Sequence, residues 1–365
     1  MAGNSLGKEF VVTLFGESHG KCVGAVVDGC PAGLQFSEID VQNELDRRIP
    51  KGTGVVSSRI EEDRAEILSG AFNGRTTGAP IAMIVRNKDV DSRPYELSKD
   101  IPRPGHADYP AKIRFGGFND YRGGGQFSGR MTAALVMAGA IAKKLLAKTS
   151  VEVLAYALSI GEIRSRGDLT REELRKTVYT NSVRCGDRDT ALLMEKSILC
   201  AAESGDSLGG VVRVIAYDVP AGIGDPPFSS LDSELSQALF SIPAVKGVEF
   251  GSGFGAAQSK GSQNNDPLTI ASGKVAFTTN NAGGVLGGLS TGREIVAQVA
   301  FKPTPSIAKP QRSVNLQSME ETELNLVGRH DPCIVPKAVP VVEATASMVL
   351  VDFMIRSGML PRILK

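Results

Sequence analysis

The sequence predicts an α+β fold made of two like halves, with two sheets enclosing apolar helices, and three features of the 365-residue chain carry that expectation. First, GESHG at 16 and CPAGL at 30 are spaced as GDSLG at 205 and VPAGI at 219 are, so one constant offset pairs Gly16, Ser18, Gly20, Pro31 and Gly33 with Gly205, Ser207, Gly209, Pro220 and Gly222. The likeness continues from FSEID at 36 to FSSLD at 228, reaches Pro50 opposite Pro243, and resumes where TTGAPIAMIV at 76 meets STGREIVAQV at 290. Repetition on this scale reads as an internal duplication, with halves at about 7–150 and 195–357 packed around a pseudo-twofold axis. Second, residues 131–146 and 341–355 are apolar all round, and such helices must be covered on every side. Third, runs of strand character recur in both halves.

Taken in order, residues 9–14 and 22–27 read as strands, with GESHG between them placing Ser18 and His19 at a sheet edge. Ser37 followed by Asp40 is a helix start; Ile39, Val41 and Leu45 give that helix an apolar side, and Arg47 and Arg48 lie in its last turn, where cations suit the helix dipole. Residues 50–60 read as a basic loop, 64–68 and 81–85 as strands, and 86–110 as an irregular, proline-rich segment of a length that is functional or disordered. After the helix at 131–146 come a strand at 151–160, helices at 170–180 and 188–203, a strand at 211–216, glycine turns at 251 and 280, a strand at 295–301 and the last helix at 341–355.

Composition narrows the function. With 41 Lys plus Arg against 40 Asp plus Glu, the formal charge of +1 draws the chain to neither nucleic acid nor an anionic membrane, so anions must be met by local arginine clusters. No stretch reaches the roughly 18 uncharged apolar residues of a membrane span, and MAGNSLGKEF has no apolar signal core, which makes a cytoplasmic protein the default. The five cysteines are odd in number, widely spaced and without a CxxC pair, and read as reduced thiols, with neither a disulfide framework nor a metal site. No glycine run matches a Walker loop or a GxGxxG dinucleotide fingerprint.

All three histidines sit in polar, glycine-rich settings: His19 in GESHG, His106 in RPGHAD and His330 in GRHDP. Imidazole is the side chain best suited to proton transfer near neutrality. In DYRGGGQFSGR, at 120–130, Gly123, Gly124 and Gly125 allow strained dihedrals and close ligand approach just before the apolar helix, which Thr132 can start. Exposed amides, a positive helix end and Arg130 there suit a phosphate, although a glycine-rich surface loop before a core helix is the plainer alternative. Arg130, Lys302, Ser306 and Arg329 are anion partners by residue type.

These blocks resemble the chorismate synthase family. GESHG with CVGAVVDGCPAG, then RPGHADY, DYRGGG with SGR, VKGVEFGSGF, NNAGGVLGG, KPTPSI and GRHDPC with AVPVVEA run in the family's order from residue 7 to about 353, so 1–365 is expected to be a single domain. The resemblance implies a β-α-β sandwich and a homotetramer. It implies a lyase of aromatic amino-acid biosynthesis that converts 5-enolpyruvylshikimate 3-phosphate to chorismate and phosphate by 1,4-elimination. Reduced FMN is required without net redox change, lending electron density while its N5 takes the C6 proton.

By motif, His19 protonates the departing phosphate, His106 stabilises the protonation state of reduced flavin, Asp331 relays the N5 proton, and Ser18 and Ser128 join the hydrogen-bond network. Flavin contacts map to Gln126, Phe127, Ser128, Pro243, Ala244, Gly287, Lys302, Pro303, Thr304, Pro305, Ser306 and Arg329; Arg48 and Arg130 meet substrate or NADPH. Two departures stand out. GGGQFSGR replaces the family's frequent GGGRSSAR, and Gly54 stands where many members carry an arginine linked to NADPH, which argues against an intrinsic NADPH-driven flavin reduction unless Lys51 compensates. A non-catalytic binder of flavin or a phosphometabolite, and a flavin reductase serving other enzymes, are the competing readings.

Overall fold

The computed structural model describes residues 3–50, 55, 63–88, 91–326 and 331–365, and its helices and sheets form an α+β arrangement. The chain begins with β1 (Val11–Gly16), β2 (Cys22–Asp28), α1 (Glu38–Arg48), β3 (Ala65–Ile67) and β4 (Ile81–Arg86), followed by α2 (Arg93–Ser98), α3 (Asp108–Arg114) and α4 (Thr132–Leu146). It continues through β5 (Glu152–Ile160), α5 (Arg171–Thr177), α6 (Arg188–Glu203), β6 (Gly210–Tyr217), α7 (Leu231–Phe240) and β7 (Val245–Phe250). A hairpin of β8 (Leu268–Ala271) and β9 (Lys274–Phe277), then β10 (Ile295–Phe301), a second hairpin of β11 (Gln311–Asn315) and β12 (Glu320–Leu324), and α8 (Val335–Arg356) complete it.

Two five-stranded sheets organise these elements. The first runs Ser5–Leu6, β1, β2, β4, β3, and the second β7, β10, β6, β5, Ile163–Arg164, with every neighbouring pair antiparallel. The middle strand of each, β2 and β6, contains one of the two segments at 22–27 and 211–216. In β2 and β4, Val23 faces Val85 and Val27 faces Ile81. In β6 and β10, Val212 faces Val299 and Ala216 faces Ile295.

Helices α4 and α8 form the core between these sheets, α4 against β2 and β4, α8 against β5 and β6, and each against the other. Small residues make that crossing close: a methyl group on Gly139 would fall 2.2 Å from the Cβ of Ala344, so no larger residue fits there. Nearly all of α8 is buried. Although long and apolar enough by composition to cross a bilayer, it is a core helix covered on all sides.

Two carboxylates on α8 tie the surrounding chain to it. Glu343, 1% exposed, accepts from the Ala155 N–H at 2.8 Å, from Lys143 Nζ at 2.7 Å and from the Tyr179 hydroxyl at 2.8 Å. Asp352 accepts from three successive backbone N–H groups, Lys8, Glu9 and Phe10, at 2.9, 2.6 and 2.8 Å. Asp352→Ala would leave those three donors and Arg356 without this acceptor, and is expected to lower unfolding stability by about 3 kcal/mol in a urea titration. A loss below about 0.5 kcal/mol would contradict that role.

Several local expectations shift. The last helix starts earlier, at Val335, with Pro336 in its first turn, where the missing N–H has no helical partner, and it runs on through Pro340 inside the helix. The segment at 86–110 is not irregular throughout, since α2 and the start of α3 lie within it. α4 does start at Thr132, and a 3₁₀ turn at Gly129–Met131 precedes it, capped by Ser128 Oγ, which accepts from the Arg130 N–H. All five cysteines are unpaired; Cys30, Cys185 and Cys333 are buried, and burial pushes the thiols of Cys30 and Cys333 up to about 12.

Candidate active site

Between β1 and β2 the chain makes a tight turn, closed by the Gly20 N–H on Glu17 O at 3.0 Å, with Ser18 and His19 as its central residues. Both are buried, at 2% and 7% exposure. The Ser18 N–H donates to Gly125 O at 3.1 Å, which joins this turn to the glycine loop. Nδ1 of His19 lies 2.9 Å from Ser92 Oγ, and the edge of the ring meets Tyr95 at 5.2 Å between centroids.

The glycine loop is the floor of the site. Gly123, Gly124 and Gly125 have φ of 60°, 85° and 54°, the left-handed region that side-chain-bearing residues avoid. A methyl group on Gly123 would lie 2.3 Å from His19 Cδ2 and 2.7 Å from Ser18 Oγ. One on Gly124 would lie 3.0 Å from His106 Cε1 and 3.5 Å from an Arg103 guanidinium nitrogen. Successive Cα atoms are about 3.8 Å apart, so the two imidazoles flank one short stretch of backbone. The loop's donors are less available than its sequence suggests: the N–H groups of Gly124, Ser128, Arg130 and Met131 are used in local turns.

His106 is oriented by Asp108. Its Nδ1 lies 2.6 Å from Asp108 Oδ1, and Arg103 donates to both oxygens of the same carboxylate at 2.7 and 2.8 Å. Burial works to raise the Asp108 carboxyl, but the hydrogen bonds and charges of Arg103 and His106 outweigh it and hold the group well below the usual carboxylate range. An ionised carboxylate only accepts, so Nδ1 carries the proton that points at Asp108. Arg103 Nη1 also donates to Ser306 Oγ at 3.2 Å, and Lys302 Nζ to Gly105 O. Burial, with nearby Lys246, lowers the pKa of Lys302. The segment 302–306 thus meets the His106 loop through Lys302 and Ser306, and it is tied in turn to Ala244 by the Lys302 N–H on Ala244 O and to Ser207 by the Ser207 hydroxyl on Thr304 O.

On the opposite side, Arg48 and Arg130 share one carboxylate. Asp63, with its side chain 1% exposed, accepts from Arg48 Nη1 at 3.0 Å and from Arg130 Nη1. Arg48 Nε donates to Thr132 Oγ1 at 3.0 Å, and Arg130 Nε to Asn87 Oδ1 at 3.0 Å.

The remaining expected residues are spread more widely. Asp331 lies just before α8 and pairs with Lys337 Nζ at 2.7 and 2.8 Å. Gln126 and Phe127 are exposed, and Phe127 packs against Phe115 with centroids 6.3 Å apart. Gly287 lies at the N-terminal end of α7, where Gly288 O accepts from the Leu231 N–H, whereas Pro243 and Ala244 follow the C-terminal end, about 15 Å away along the helix. Arg329, His330, Lys51 and Gly54 lie outside the described residues. Sequence reasoning did not single out Asp63, Asn87, Ser92, Tyr95 or Asp108. Only Asp108 had a local signal, two residues after His106; the others reach the site through tertiary packing.

Comparison with known proteins gives the family. The chorismate synthase family model matches residues 10–355. A chorismate synthase of Korarchaeum cryptofilum is 52% identical over 357 residues, covering 98% of this chain and 99% of that protein. One of Methanosarcina barkeri is 50% identical over 365 residues, covering 100% of both. A crystal structure of chorismate synthase superposes with a TM-score of 0.74 at 30% identity, covering 96% of this chain and 93% of the other. With two imidazoles facing one glycine floor beside a guanidinium pair, and with relatives matched end to end, the chain belongs to the chorismate synthase family.

Proposed function

We infer that this chain is a lyase that carries out its family's reaction, the 1,4-elimination of phosphate from 5-enolpyruvylshikimate 3-phosphate to give chorismate, on the floor of Gly123–Gly125. The observation that carries the reading is the convergence of His19 and His106 on adjacent glycines of that floor. A non-catalytic flavin binder would need the cations but not both imidazoles.

The residues fit reduced FMN, which the family uses. Thr304 Oγ1 is buried without a partner in the segment expected to meet the flavin, which also carries Lys302 and Ser306. Lys302, Thr304, Ser306 and Arg329 would hold the phosphate and polar edge, with Pro243, Ala244, Pro303, Pro305, Gly287 and Gln126 to Ser128 completing the wall. When bound, the reduced flavin supplies transient electron density without net redox change. His19 then gives its proton to the departing phosphate, with Ser18 beside it. His106 holds the local protonation state with its Nδ1 proton kept in place by the Asp108 carboxylate, while Asp331 is the proton relay. Arg48 and Arg130 meet the substrate's anionic groups or NADPH.

The test is anaerobic: folded protein with chemically reduced FMN and substrate, following phosphate release and chorismate absorbance, with a parallel arm of oxidised FMN plus NADPH. Absence of product in the first arm overturns the lyase reading; the second arm decides intrinsic flavin reduction.

The finer architecture belongs to the same reading, a β-α-β sandwich in one domain, formed by duplication around a pseudo-twofold axis. It is supported by the pairing of Val23 with Val85 and of Val212 with Val299, since the two alignments of the halves carry one pair onto the other. A homotetramer is supported by the hairpin of β8 and β9, an isolated two-stranded ribbon that is marginal alone. Leu268, Ile270 and Val275 on one face are exposed at 64%, 71% and 68%. Ile270→Asp with Val275→Asp is expected to reduce the mass measured by light scattering, and an unchanged mass would remove the hairpin from the interface. The unpaired thiols support a cytoplasmic setting.

A further inference from the structure

Asn87 stands where β4 ends and the site begins. Its backbone N–H donates to Lys21 O at 3.2 Å, continuing the pairing of β4 with β2 up to the turn that carries Ser18 and His19. Its side-chain Nδ2 donates to Glu17 O and to Gly20 O, each at 2.9 Å, the first and last residues of that turn. Its Oδ1 accepts from Arg130 Nε at 3.0 Å. Chemistry fixes the orientation of this carboxamide: two carbonyl oxygens only accept and a guanidinium only donates, so nitrogen and oxygen cannot exchange places.

One side chain therefore joins the two working halves of the site. On one side is the chain from Arg130 through Asp63 to Arg48, a buried ion-paired cluster. On the other is the four-residue turn whose His19 ring lies in contact with the backbone floor at Gly123. A proton donor held over a floor this closely loses reach with a small displacement, and misplacement by about 1 Å commonly costs about 100-fold in rate. We propose that Asn87 is a positioning residue, which clamps both ends of the Ser18–His19 turn and locks it to the Arg48–Asp63–Arg130 cluster, so that the imidazole and the anion-binding guanidinium groups keep one fixed relation. The proposal rests on the reading of His19 as the group that meets the departing phosphate.

Asn87→Asp tests it with little change of shape: the oxygen facing Arg130 is kept, and the two donated hydrogen bonds are replaced by an oxygen facing two carbonyl oxygens. Asn87→Ala removes the clamp without adding charge and covers the case in which the aspartate variant fails to fold. For each, chorismate formation with chemically reduced FMN, FMN affinity, thermal midpoint and the imidazole resonances of His19 and His106 are measured.

The expected result is a fall in kcat of about 10- to 100-fold, with substrate KM and FMN affinity changed by less than about threefold and the His19 resonances displaced while those of His106 stay. A kcat within about twofold of the unmodified protein overturns the proposal. So does a uniform loss, in which FMN affinity and thermal midpoint fall together and both histidines move, because that is general destabilisation. His19→Asn run in parallel separates the two readings: if it also keeps the full rate, the assignment of His19 fails, and displacement of the His19 ring in the Asn87 variants still decides the positioning claim.

Discussion

Gly123→Ala is expected to lower chorismate formation by about 100-fold or more while the protein stays folded. Two penalties combine at this residue. Its φ of 60° lies in the left-handed region, where a side chain costs about 1–2 kcal/mol, well within the 5–15 kcal/mol of a typical fold. The added methyl group would also sit 2.3 Å from Cδ2 and 2.6 Å from Nε2 of His19, and 2.7 Å from Ser18 Oγ, so the imidazole must move off the floor. Gly117→Ala is the control: φ is 81°, yet nothing lies within 4 Å of the new methyl. It carries comparable backbone strain and is expected to keep the rate. Steady-state rates and circular dichroism of both variants decide the matter; equal rates would show that backbone strain, not contact with His19, sets the cost.

His106→Ala is expected to retain FMN binding and lose turnover by about 100- to 10,000-fold, the range that acid–base groups commonly contribute. Binding should survive because Lys302, Thr304 and Ser306 are placed by β10 and the segment after it, and Arg103 keeps its grip on Asp108 and Ser306 when the ring is gone. Turnover should not survive, because no other imidazole among the described residues faces Gly124. Flavin titration and single-turnover kinetics read the two effects separately. A near-normal rate would remove His106 from the proton inventory.

Much of this site was legible in local sequence, for a physical reason. Gly123–Gly125, the GESHG turn and the His106 loop each need particular residue types at consecutive positions, and consecutive positions are visible in a sequence. The same holds for β10 at 295–301 and α6 at 188–203, whose apolar patterning gives their bounds as found. What local patterning missed has partners far along the chain. Asp63 is one acid in a charged run until the fold brings it between Arg48 and Arg130. Asn87 follows a strand with no motif around it, and its three side-chain partners come from the GESHG turn and from Arg130. α2 carries no periodicity, yet Ser92 and Tyr95 at its start brace His19.

By itself, then, the sequence determined the α+β class, the family and the reaction, and it marked the three loops proposed to carry chemistry, because each depends on residue type and short spacing. Only the tertiary structure decided that His19 and His106 face neighbouring glycines, that one buried carboxylate holds both arginines, and that a single carboxamide joins them to the Ser18–His19 turn. Those relations are set by how β2, β4 and α4 pack, and burial then makes each unmatched donor or charge costly enough that one arrangement is kept.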